Sequence, residues 1–216
     1  MGVMEQNLRY ILSKQLYRVE DRQIQFPSYS DIEKSKYKEE VIRIYKLLGG
    51  INDNLPLNLR KWDMEVDGIA VELDEYLHFN RYRALTLKSN IYNNLNVFPW
   101  KEYSEYCIKY EDDCLDVGGW GGKWSNNSCE KQFGPPSSKG DMTGNGAPRW
   151  RQRAFYDYVK DLSPLTIGVS VARISIWDTI KLNNKNILVK NILTDNITEA
   201  GAGLYKLLRE RVNFTG

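Results

Sequence analysis

The chain has 216 residues, enough to bury a sizeable core as one domain with an insertion or a small appendage. Its 30 Lys and Arg against 28 Asp and Glu leave a formal charge of +2, so net charge gives no support for a nucleic-acid partner and any basic surface must be local. No run of about 18 apolar residues occurs, so no spanning helix is expected, and three cysteines are too few and too odd a number for a secreted disulfide scaffold. The opening MGVMEQNLRY lacks the apolar stretch of a signal peptide, and the expectation is a cytoplasmic protein without a membrane partner.

In chain order, residues 5–18 and 33–48 are predicted helices. In the second, Ile32, Tyr37, Val41, Ile44, Leu47 and Leu48 recur at helical spacing, with Asp31 as N-cap and Gly49–Gly50 as the stop. Residues 51–59 read as a connector. Residues 60–77, RKWDMEV-DG-IAVELDEYL, are predicted to form a hairpin about a two-residue Asp67–Gly68 turn. Residues 88–148 hold all three cysteines, GGWGG, GNG and Pro135–Pro136, and read as an irregular insertion with little regular structure. Residues 149–161 return to a helix. VSVARISIW, residues 169–177, suits a central strand, residues 186–193 a further short strand, and Glu199 to Val212 a closing helix.

If Asp67 and Gly68 are the turn, paired residue numbers sum to 135. Side chains alternate between the faces of a strand, so Met64, Val66, Ile69, Val71 and Leu73 share an apolar face. The other face carries Lys61, Asp63, Glu65, Ala70, Glu72 and Asp74, with Asp63 opposite Glu72. Like charges facing each other destabilise a ladder, and a hard divalent cation removes that penalty. Mg²⁺ or Mn²⁺ held there could activate a water against a phosphate, with Lys61 beside it. The plain alternative is a solvated acidic face with Lys61 paired to Asp74.

A strand Asp, a hairpin, then Glu-x-Asp resembles the PD-(D/E)XK nuclease superfamily, and its very-short-patch-repair-endonuclease-like branch in particular. That branch has E-x-D-G-x-x-H after an apolar strand. Here the run is Glu72-Leu-Asp74-Glu-Tyr-Leu-His78, and ARISIWD (Ala172 to Asp178) is similar to the branch's later strand R-V-x-x-x-W-[ED]. The resemblance covers about residues 33–87 and 149–180. It implies an α/β fold with a restriction-endonuclease-like core, a mixed sheet flanked by helices in the order α-β-β-β-α-β. Residues 1–30 would be an N-terminal helical segment, 31–87 and 149–216 the nuclease core, and 88–148 the long irregular insertion.

The same resemblance implies a metal-dependent DNA endonuclease in which Asp63 and Glu72 ligate Mg²⁺ and Asp74 completes the metal set. His78 would transfer a proton or contact phosphate. The motif Lys is absent, leaving Lys61 or Lys88 as substitutes, and Glu75 stands where the branch has Gly. Gln152 and Tyr156 fit a Q-x-x-x-Y spacing, one turn apart on one helix face. Arg81, Arg83, Arg149, Arg151, Gln152 and Arg153 are the candidate substrate contacts, Arg being suited to phosphate by its fork, with solvated faces or local ion pairs as the alternative. Cys107, Cys114 and Cys129 could join His78 around a structural Zn²⁺, but their spacing lacks tight C-x₂-C pairs and ordinary buried thiols are the stronger reading. Two other functions stay open: an inactive nucleic-acid-binding or protein-interaction module on the same fold, and an RNA-processing nuclease. A homodimer or a partner protein is open as well.

Overall fold

The computed structural model describes residues 2–15, 17–20, 24–95 and 97–212. Four strands make a mixed sheet: β1 (Val19–Glu20), β2 (Met64–Val66), β3 (Ile69–Asp74) and β4 (Val171–Ser175), lying in that order. The first two pairings are antiparallel and β3 runs parallel to β4. The hairpin has the register that its bend dictates, with Val66 opposite Ile69, Glu65 opposite Ala70 and Met64 opposite Val71. Asp67 (φ 49) and Gly68 (φ 81) are both left-handed, as a type I′ turn requires. Met64, Val66, Ile69, Val71 and Leu73 all join the main core. At roughly 1.5–3 kcal/mol for burying each large side chain, they hold the strand against a one-residue slip.

Helices cover the sheet. α1 (Val3–Lys14) ends four residues earlier than the sequence suggests, and Val19–Glu20 becomes the edge strand β1 instead. The expected helix over 33–48 is two: α2 (Tyr29–Lys34) and α3 (Lys38–Leu47). Ser28 rather than Asp31 is the N-cap of α2. Asp31 sits three residues on and returns a bond to the Ser28 N–H, a reciprocal capping box. Extended backbone at Ser35 separates the two helices, and Gly49 (φ 84) follows the end of α3.

The segment 88–148 is largely helical, which corrects the irregular insertion. After α4 (Arg81–Thr86) come α5 (Trp100–Lys109), α6 (Glu111–Gly118) and α7 (Asn127–Phe133). Trp100, Tyr103, Cys107 and Tyr110 follow a helical period that turns one face of α5 into the core. Glu111, Asp112 and Asp113 open α6, where carboxylates favour a helix N-terminus.

α8 (Pro148–Asp161) and the short α9 (Ser163–Thr166) complete the crossover from β3 to β4. β4 is buried along its whole length yet ends the sheet, so it is a covered edge rather than a central strand. Beyond it, β5 (Thr179–Leu182) and β6 (Lys185–Leu188) form a separate hairpin about Asn183–Asn184, both with positive φ. The predicted strand over 186–193 is therefore only β6, followed by α10 (Val189–Thr194). α11 (Gly201–Glu210) closes the chain against β4 and α1.

Candidate active site

One cleft of about 710 Å³ opens beside the end of the hairpin, and Asp63 and Glu72 both line it. Asp63 lies just before β2, where the next ladder donor, the Leu73 N–H, is taken by its carboxyl oxygen at 2.8 Å. That bond holds the Asp63 side chain beside Glu72. Burial and the neighbouring Glu72 charge push the Asp63 carboxyl up to about 7. Glu72 is also raised, by burial first, against the pull of Lys160 and Arg173. The two acids thus line one cleft, and Glu72 makes it harder for Asp63 to ionise.

A residue the sequence did not mark completes the pair. Lys160, near the C-terminal end of α8, is buried and donates to Glu72 Oε1 at 2.5 Å and to the Lys61 carbonyl at 3.2 Å. Its ammonium also lies 4.9 Å from the centre of the Trp62 ring. The parallel crossover carries it there from 88 residues away. Gln152, Tyr156 and Lys160 follow one another at four-residue steps and all three line the cleft. Extending the Gln-Tyr spacing by one more turn was the available signal. Lys61 lines the cleft through an exposed side chain, whereas Lys88 is exposed and does not line it.

Asp74 is not part of this pair. It does not line the cleft, and its carboxylate is bound by Arg173 from β4 at 2.6 Å. Arg173 is the hub of a buried ion cluster, also reaching Asp161 at 2.6 Å and Asp157 at 3.4 Å. Arg83 binds the other oxygen of Asp161 at 2.7 Å, shared with the Tyr92 hydroxyl. His78 Nδ1 meets Asp157 at 2.8 Å and Asp74 at 3.1 Å. Three carboxylates thus face Arg83, Arg173 and His78. Burial pushes the His78 imidazole down, but Asp157 and Asp74 outweigh it and hold its pKa above the usual value. Asp74, His78 and Asp157 do offer ligand atoms within 4.8 Å of one another, a set that could hold a metal. Arg173 already supplies the positive charge at that point.

The six candidate substrate contacts divide. Arg81 is spent on Glu111, Arg83 on Asp161, and Arg151 on the carbonyls of Asn145 and Leu48, so these three are architectural. Arg149, Gln152 and Arg153 line the cleft, joined by Arg60, Lys123, Asn126 and Ser128, which the sequence left unmarked. The cysteines do not converge. Cys107, Cys114 and Cys129 are all buried, the first two near Asn80, and among the described residues none belongs to a group of three ligands that could hold an ion. Burial pushes the thiols of Cys107 and Cys114 up to about 12, and they act as small apolar side chains. The zinc reading of the insertion therefore finds no ligand set among the described residues.

A family model described as a family of unknown function (DUF7255) matches residues 43–195, which include the hairpin, the crossover helix and β4. No curated protein and no solved structure matches the chain. No helix of the described residues is long and apolar enough to cross a membrane.

Proposed function

The chain belongs to the family of unknown function DUF7255, and we propose that its Asp63–Glu72 cleft is the active site of a metal-dependent nuclease hydrolysing DNA phosphodiesters. The observation that carries this reading is the juxtaposition of two carboxylates and one ammonium, Asp63, Glu72 and Lys160, on the wall of a cleft that also holds Arg60, Arg149 and Arg153. The topology supports it too. The order α1, β1, β2, β3, α8, β4, with β3 parallel to β4, agrees with the α-β-β-β-α-β order expected of a restriction-endonuclease-like core once α2–α3 and α4–α7 are set aside.

The donor set fits a hard divalent cation: two carboxyl groups held side by side, with Asp63 raised by burial first and by Glu72 second. Asp63 and Glu72 would hold Mg²⁺ or Mn²⁺, which supplies charge neutralisation at the scissile phosphate and lowers the pKa of water. Lys160 fixes the orientation of Glu72 and places an ammonium where negative charge gathers on the phosphate being attacked. His78 lines the cleft with Nδ1 committed to Asp157, so its other nitrogen is the one left to give a proton to the leaving oxygen.

Duplex DNA, single-stranded DNA and RNA, each with Mg²⁺, Mn²⁺ or EDTA, are the substrates that test this. Cleavage should need the metal and fall by about 10²-fold or more in Glu72→Gln and Lys160→Met, by analogy with loss of other preorganised charges. Full cleavage by a folded Glu72→Gln protein would refute the assignment. One observation favours a second reading, an inactive binding module: Glu72 is already neutralised by Lys160. In that case neither metal should raise the melting temperature.

A further inference from the structure

We propose that Arg60, Arg149 and Arg153 form a phosphate seat in the wall of the same cleft, built for a dianionic phosphate such as the terminal phosphomonoester of a nucleic-acid strand. The strand-end assignment rests on the nuclease reading; the anion site itself does not.

All three guanidinium groups line the cleft, and none makes an ion pair with a carboxylate among the described residues. This sets them apart from Arg43, Arg81, Arg83, Arg173 and Arg211, each bound to an Asp or Glu. Arg149 and Arg153 are four residues apart on α8 and so share a face, where like charges repel. Arg149 donates only to the neutral oxygen of Gln152. The carboxylate one turn beyond Arg153, Asp157, is already held by His78 and Arg173. Burial first, then repulsion from Arg153 and Arg60, holds Arg149 below the usual guanidinium range; burial and Arg60 do the same to Arg153, against the pull of Asp157 and Asp74. The three cations thus stand without an ion-pair partner of their own, although Glu75 and Asp157 line the same cleft, and a bound anion would relieve the repulsion of Arg149 by Arg153 and Arg60.

The seat is made of side chains, not of a helix end: the Arg149 N–H at the start of α8 is taken by the Trp124 carbonyl. Guanidinium forks match phosphate oxygens bidentately. An internal phosphodiester brings one negative charge, whereas a terminal phosphate brings about −1.5 to −2 near pH 7, the better match to three cations.

The whole chain in EDTA, titrated with inorganic phosphate against chloride at equal ionic strength, tests the seat. Phosphate should raise the melting temperature saturably. The Arg149→Gln/Arg153→Gln double variant should lose that rise and, freed of repulsion, melt higher than the parent in chloride. No rise in the parent, or an equal rise in the double variant, overturns the seat. Metal-free binding of one oligonucleotide with phosphorylated or hydroxyl ends then tests the ligand class. A phosphate end should bind about tenfold more tightly, the effect of one added charged hydrogen bond. Equal affinities overturn the strand-end assignment. Phosphate binding without cleavage under any metal breaks the nuclease reading and leaves the seat standing. Cleavage without the phosphate effect does the reverse.

Discussion

Helix α8 serves two charged regions that differ in how their charge is balanced. Toward its C-terminal end, Asp157 and Asp161 join Asp74 in facing Arg173, Arg83 and His78, three carboxylates against three cations. On the cleft side, Arg149 and Arg153 stand beside Arg60, and Asp63 beside Glu72, which Lys160 binds and which still raises Asp63. Both regions are polar, and both are packed against the same helix. The difference is that the charges of the first are paired inside the fold, whereas the second leaves like charges together, the pattern that marks a candidate ligand site. Charge alone therefore does not mark the site; uncompensated charge does.

The hardest way to break the comparison is to remove the hub of the compensated region. Arg173→Leu would leave Asp74, Asp157 and Asp161 buried with too little positive charge. Removing one partner of a buried ion pair costs about 3–5 kcal/mol, and urea unfolding should show a loss at the top of that range or a protein that does not fold. A variant as stable as the parent would mean that the cluster is not architectural, and the distinction between the two regions would fail.

The sequence carried the hairpin because both of its determinants are local: a two-residue turn that needs positive φ, and a period of two on either side. Glu72 and Asp63 follow from that register. Asp74 is set apart from that pair because strand alternation says which face a carboxylate is on but not which cation crosses from the next strand. Arg173 reaches it through a parallel pairing about 100 residues away in the chain. Lys160 was hidden for the same reason. In the insertion, glycine and cysteine density outweighed a helical period that was present in Trp100, Tyr103, Cys107 and Tyr110. The Asn183–Asn184 hairpin was missed because Asn tolerates the left-handed region less obviously than Gly, though it serves the same turn.

A smaller effect sharpens the comparison through pH. His78 has a folded pKa above the ordinary 6.5, since Asp157 and Asp74 outweigh burial. A raised group gives its full stability below the unfolded value and loses it as pH rises through the folded one. Asp157 is shifted the other way: burial opposes ionisation, but His78 and Arg173 hold it well below the ordinary 3.8. Its contribution is present above that value and lost only as pH falls through the lower folded one. The pair should therefore stabilise most between roughly pH 4 and 6.5 and fade on the alkaline side. The melting-temperature gap between the parent and His78→Gln should narrow from about pH 6 to about pH 9. A gap independent of pH would place a neutral imidazole in the folded protein and unbalance the cluster.

The smallest effect expected is at Lys61, and it decides which ammonium serves the acids. Lys61 flanks the hairpin in sequence, on the same face as Glu72, and was the obvious assistant. In the fold its side chain is exposed and makes no ion pair among the described residues, while its carbonyl accepts a bond from Lys160. Lys160 is the one that is buried and bound to Glu72. Lys61→Gln should therefore change stability by no more than about 0.5 kcal/mol, as for most surface substitutions, and leave cleavage largely intact. If instead Lys61→Gln abolished cleavage while Lys160→Met retained it, the working ammonium would come from the hairpin. The Lys160–Glu72 contact would then belong with Arg173 on the compensated side of α8, and the boundary between the two regions would move by one helical turn.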